Sequence, residues 1–144
     1  MDPLEILKKE HEAVERELIE LETIMDEEVV NYPNLIHVFR KLHVIWNAHE
    51  IREEKLFEIL EKRGFPFPFK KMLFEHKELN LPRSEIVRAI QSGSEFETKK
   101  ALDFHGRKLL KKLRKHHSVE EDIIYALPIE FSNEELKELE SFFD

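Results

Sequence analysis

Residues 49–57 read His49-Glu50-Ile51-Arg52-Glu53-Glu54-Lys55-Leu56-Phe57, and residues 117–125 read His117-Ser118-Val119-Glu120-Glu121-Asp122-Ile123-Ile124-Tyr125. Both give a histidine, a glutamate four residues on, a second acid and an aliphatic residue before an aromatic one. In a helix, residues i and i+4 share a face about one turn apart, so each histidine and its glutamate can reach one point. The first stretch lies within a seam of Leu35, Phe39, Leu42, Trp46, Leu56 and Leu60, whose spacing marks an amphipathic helix. His49 and Glu53 fill the seam positions between Trp46 and Leu56. An ionised glutamate there costs several kcal/mol unless a cation or hydrogen-bond donors compensate it.

Outward from this stretch the chain reads as helices. Asp2-Pro3 with Glu5 gives an N-cap, a first-turn proline and an acid at the third position, so a helix starts at about residue 3. Its stripe is Leu4, Leu7, Val14, Leu18, Leu21 and Met25, with His11 standing in it, and Asn31-Tyr32-Pro33-Asn34 closes it. The second helix ends at Lys62-Arg63-Gly64. Phe65-Pro66-Phe67-Pro68 is the connector, and a third helix begins near Pro68 with Phe69, Met72, His76 and Leu79 on one face. Pro82 should break or kink it, with a short helical piece to Ile90. Ser92-Gly93-Ser94 is a turn, and Ser94 with Glu97 opens a fourth helix that runs to about Leu127, before Pro128. Ser132 with Glu135 opens a short terminal helix carrying Leu136, Leu139, Phe142 and Phe143. The expected fold is all-α, an antiparallel up-down four-helix bundle with a short C-terminal helix. It forms one domain over 1–144, the bundle spanning about 3–128 and the terminal helix about 133–143.

Composition agrees and excludes alternatives. The 144 residues include 3 Gly and 6 Pro, with 38% charged and 41% hydrophobic residues, which suits long amphipathic helices better than short strands. With no cysteine there is no disulfide, thiolate metal site or cysteine nucleophile. The net charge of −8 argues against nucleic-acid binding. The absence of a long apolar run argues against a membrane role and suggests a soluble cytoplasmic protein. No P-loop, GxGxxG, GxSxG or zinc-finger pattern is present.

The first and third helices share a smaller signature, Glu10-His11 and Glu75-His76, so each half reads as a helical hairpin with one histidine on its first helix and HxxxE on its second. His11, His49 and Glu53 from one half, and His76, His117 and Glu121 from the other, are the candidate metal ligands. Imidazole and carboxylate without thiolate favour iron, manganese or zinc, and paired His and Glu in a bundle core suit a dinuclear site. His116 with Glu120 also satisfies HxxxE. The residues at −4 and +7 are Leu113 and Ile124 for His117 but Lys112 and Ile123 for His116, so the His117 and Glu121 register is preferred, with only one of the two histidines facing the core. The turn at Gly93 leaves His76 and His117 offset by roughly 10 Å at the helical rise, which a break at Pro82 would have to absorb.

These residues resemble the hemerythrin-like HHE cation-binding family over roughly residues 1 to 130. The resemblance implies a four-helix bundle holding a non-heme centre of two iron ions, with manganese or zinc as alternatives, and with Glu53 and Glu121 as bridging carboxylates. Oxygen carriers in that family have HxxxH on the third helix, where this chain has His76-Lys77-Glu78-Leu79-Asn80, and HxxxxD on the fourth, where it has HxxxE. The set is closer to domains linked to iron sensing or iron-centre repair, and Glu50 is a candidate additional ligand, as in some iron-responsive members. Asn80, Tyr125 and His116 are candidates to stand behind the ligands and hydrogen-bond them. With Asn80 in a carrier's histidine position, a stable reversible oxygen adduct is not expected.

His37, His43 and His105 read as structural. Lys99, Lys100, Arg107, Lys108, Lys111, Lys112, Arg114 and Lys115 form a basic run, read first as a solvated face paired with acidic neighbours and second as a dock for an acidic or redox protein. The functional expectation is a di-iron protein that reacts with or senses dioxygen, nitric oxide or peroxide, or handles iron. The alternative is a helical protein-interaction module with a structural metal or none.

Overall fold

The computed structural model describes residues 2–143 and consists of helices joined by short connections, with no strand among the described residues. In chain order the helices are α1 (Pro3–Asp26), α2 (Tyr32–Lys62), α3 (Phe69–Glu78), α4 (Asn80–Gln91), α5 (Glu95–Ala101), α6 (Arg107–Glu120) and α7 (Asn133–Phe143). π-helical segments Leu102–Gly106 and Glu121–Tyr125 lie on either side of α6, so residues 95–125 form one continuous rod. Among the described residues no helix is long and apolar enough to cross a membrane.

The caps follow the local chemistry. The Asp2 carboxylate accepts from the Leu4 N–H, the Asn31 side chain from Asn34 N–H, and the Ser94 hydroxyl from Glu97 N–H. Gly64 closes α2 at φ +73°, a conformation that other residues reach only with strain. The break in the third rod falls at Leu79 rather than at Pro82. Pro82 lacks an N–H for the Glu78 carbonyl and its ring crowds that group, so α3 stops at Glu78 and α4 restarts with Pro82 in its first turn. Leu79 remains buried and Asn80 turns outward.

Two apolar clusters form the core. One gathers Val14, Leu18, Leu35, Leu42, Trp46, Leu79 and Leu113, and the other Leu7, Leu56, Leu60, Met72, Ile124 and Tyr125. Between them lies a layer of buried polar residues. Along α1, His11 separates Leu7 from Val14, and along α2, His49 and Glu53 separate Trp46 from Leu56. His76 separates Met72 from Leu79, and His116, His117 and Glu120 separate Leu113 from Ile124. The four rods meet the two clusters in alternating order, and the polar layer lies at one level in all of them.

The terminal helix is fastened by Arg63, which follows α2. Its Nε donates to Glu135 Oε2 at 2.8 Å and its Nη2 to the Glu130 carbonyl at 2.6 Å, while Glu135 also completes a reciprocal cap with Ser132. Arg63 holds the Glu135 carboxyl down at about 2. A depressed carboxylate stabilises the fold above its ordinary value and loses that contribution as pH falls through the lowered one. Arg63→Ala should therefore loosen α7 by about 1 kcal/mol at neutral pH. Amide exchange should accelerate in residues 133–143, with the effect fading near pH 2 and exchange in α2 unchanged.

Candidate metal centre

Seven side chains make the polar layer, and each is at most 7% exposed: His11, His49, Glu53, His76, His116, His117 and Glu120. They form two converging groups, His11, His49, His117 and Glu120 in one, and Glu53, His76, His116 and Glu120 in the other. Glu120 belongs to both. Glu53 also spans them, with Oε2 at 2.9 Å from His49 Nε2 and Oε1 at 2.8 Å from His76 Nε2. His11 and His49 bring their Nε2 atoms to 3.0 Å, as do His76 and His116, and the His11 and His117 rings stack at 3.8 Å. The Tyr125 hydroxyl donates to Glu53 Oε2 at 2.7 Å.

Nitrogen and carboxylate lone pairs converge here with too few protons to share. Both Glu120 oxygens and His117 Nε2 are buried without a hydrogen bond. Leaving such groups unsatisfied is costly, and a cation removes the cost, so the residues present fit a metal ion. Protonation in the bare protein shows the same tension. Burial and the Glu53 charge push the Glu120 carboxyl well above its ordinary range. Burial opposes ionisation of Glu53 too, but His49 and the hydrogen bonds around it hold that carboxyl well below the usual range. Burial lowers His49, yet Glu53 and Glu10 outweigh it and raise the imidazole to about 9. His117 is pushed well down by burial and by its histidine neighbours. Without a cation, Glu120 is the carboxylate pushed toward holding a proton, which a divalent ion could replace.

A ring of outer carboxylates orients the imidazoles. His116 Nδ1 lies 2.7 Å from Glu75 Oε2, His11 Nδ1 3.1 Å from Glu121 Oε1, and His49 Nδ1 3.4 Å from Glu10 Oε1, with Arg52 bound to Glu10 from outside. Such partners fix the tautomer that presents Nε2 inward and raise the basicity of the ring. Glu75→Ala should weaken metal binding by roughly 10-fold to 100-fold with the helical content unchanged, as measured by competition with a chelator.

The placements revise several sequence expectations. His11, His49, Glu53, His76 and His117 are brought together, but Glu120 takes the position expected of Glu121, whose side chain is 47% exposed and reaches only His11 Nδ1. Nor does the core choose between His116 and His117, since both are buried. At about 100° per residue, Glu120 falls on the helix wheel between His116 and His117, close to the line of Leu113, whereas Glu121 falls beyond His117. The rod thus faces α3 with His116 and α1 with His117. Asn80 does not stand behind the ligands; it is exposed beyond the Leu79 break and pairs with Arg83. Tyr125 does stand there, on Glu53, while His116 belongs to the converging set itself. Glu50 lies beside His76 with Glu54, outside the two main groups. His37, His43 and His105 take no part in any converging group. Glu10 and Glu75 entered the sequence reading only as part of the repeated Glu-His signature and were given no role there, although each immediately precedes a candidate histidine.

A helical protein with a buried, cation-ready layer of histidine and glutamate is what the fold and site define. The Hemerythrin HHE cation binding domain model matches residues 2–128, and the chain belongs to that family. No curated protein and no solved structure gives a significant match.

Proposed function

We propose that the chain is a single-domain, antiparallel up-down four-helix protein holding two iron ions. His11, His49 and His117 would serve one ion, His76 and His116 the other, and Glu53 and Glu120 both. The alternating order in which the rods meet the two apolar clusters supports the topology. The observation that carries the metal reading is the unsatisfied, fully buried Glu120 carboxylate shared by both groups. When bound, iron supplies redox chemistry toward dioxygen, nitric oxide or peroxide.

The remaining work belongs to the chain. Trp46, packed against His49, His76, His116 and His117, keeps bulk water from the layer. Tyr125 holds a proton on the Glu53 oxygen, and burial raises its phenol well above the usual range, so that proton stays in place. The second group offers two imidazoles where the first offers three, and no side chain from Asn80 makes up the difference. This asymmetry would leave the second ion more open to a small ligand, and sensing, scavenging or iron handling are the roles proposed for it. Within the basic run Arg114 pairs with Glu15 and Glu22, Lys112 with Glu78 and Arg107 with Asp103. Those pairs support the solvated-face reading, and docking of an acidic or redox partner there is secondary.

Metal analysis and absorption spectra of protein purified without added metal test the proposal. About two irons per chain are expected, with a visible spectrum that changes on exposure of the reduced protein to air and does not return on degassing. A single colourless zinc would instead support the interaction-module alternative, and a reversible oxygen spectrum would support a carrier.

A further inference from the structure

Three of the five histidines of the layer rest their outer nitrogen on a carboxylate, and His76 and His117 do not; of these two, His76 faces acids. Its Nδ1 is buried and unpartnered, 3.6 Å from Glu54 Oε1 and beyond hydrogen-bond reach. It faces Glu50 and Glu54 together, and the three residues bring ligand atoms within 4.8 Å of one another. Glu50 Oε1 is also buried and unpartnered, whereas the Glu54 side chain is 52% exposed. Like charges at i and i+4 on a helix repel, and among the described residues no lysine or arginine forms an ion pair with either acid. Arg83, the nearby cation, bonds Asn80 through Nη2, and its buried Nη1 has no partner; its charge favours the ionised form of Glu50 without pairing with it. The group therefore runs from solvent at Glu54, through half-buried Glu50, to the imidazole whose other nitrogen already belongs to the centre.

We infer that Glu50, Glu54 and His76 Nδ1 form an outer divalent-cation site that receives the ion and passes it to the buried layer. The inference rests on the metal centre proposed above. One neutral imidazole offers a single free lone pair, so Nδ1 ligation and Nε2 ligation by His76 alternate. The outer site is occupied during uptake and released when the inner groups fill. At equilibrium the protein holds two ions and no third. Oxygen donors with one imidazole suit ferrous iron and manganese(II), both of which reach such sites as hydrated divalent ions.

The test is anaerobic uptake of ferrous iron by the metal-free full chain, stopped at intervals with a ferrous chelator. Glu50→Gln and Glu54→Gln should each slow uptake by roughly tenfold while final loading stays at the wild-type level. Glutamine keeps the size of the side chain, and neither acid hydrogen-bonds His76, so loss of rate reports the charge and not the orientation of the ring. Glu61→Gln, an equal charge change at an exposed position of α2, should load at the wild-type rate. Wild-type rates in both the Glu50 and Glu54 variants, or equal slowing in the Glu61 variant, would overturn the outer site and leave the centre standing. Failure of the wild-type protein to take up two ions would remove both.

Discussion

Replacing Glu120 with glutamine should strip the protein of at least one metal ion, while the same change at Glu121 should leave both ions in place. Glu120 is fully buried, contributes to both converging groups, and has no hydrogen bond on either oxygen. A neutral amide cannot supply the charge that two cations require, so affinity should fall by more than about 100-fold. Glu121 touches only the outer nitrogen of His11, and its loss should cost no more than a weakened outer contact. The metal-free protein gives the internal control. There burial and the Glu53 charge push Glu120 toward its protonated form, of which glutamine is a near-isostere, and stability should change by less than about 1 kcal/mol. Metal content per chain and melting curves with and without chelator measure both halves. Retention of two ions by the Glu120 variant, together with loss in the Glu121 variant, would move the fourth-rod ligand by one residue.

Much of this arrangement was legible in the sequence because helices advertise themselves through period and caps. The 3,4 seams placed His11, His49, Glu53 and His76 inward, and the capping residues at Asp2, Ser94 and Ser132 placed three helix starts. The failures share a cause: a one-residue choice on a helix depends on where the neighbours stand, which a single strand of sequence does not carry. Comparing positions at −4 and +7 treated the inward direction of the fourth rod as a line. In the bundle it is an arc wide enough for His116 toward α3, His117 toward α1 and Glu120 between them. Centring the stripe on Glu120, with Leu113 seven residues before and Ile124 four after, would have found it. Asn80 was misplaced for a related reason. An uninterrupted helix would bring it one turn past His76, but the break forced by Pro82 leaves Leu79 inside and Asn80 outside. The π-helical segments on either side of α6 have no signal in composition, although the second lets Ile124 and Tyr125 together take the core.

Removing metal should lower the melting temperature by about 10 °C and open the molecule at its middle and not at its ends. An ion present at a thousand times its dissociation constant adds roughly 4 kcal/mol to the native state, and for a chain of this size each kcal/mol corresponds to about 3 °C. The location follows from packing. The polar layer divides the two apolar clusters, and without a cation it is held by imidazole contacts, by Glu53 between His49 and His76 and by the Tyr125 hydroxyl on Glu53, while the Glu120 carboxyl stays unpaired. Amide exchange should therefore rise most around residues 11, 49, 53, 76 and 116–120, while Leu18, Leu42 and Leu60 within the clusters remain protected. Affinity should also increase with pH. His49, raised to about 9, carries a proton in the metal-free protein at neutral pH, and Glu120 is pushed toward its protonated form by burial and the Glu53 charge; binding works against both protons. The stabilisation by metal should thus be larger at pH 8 than at pH 6, and proton release should accompany titration in weak buffer. Uniform exchange across the chain on chelation, or a melting temperature indifferent to metal at both pH values, would show that the layer closes by itself and that the ion is not what fills it.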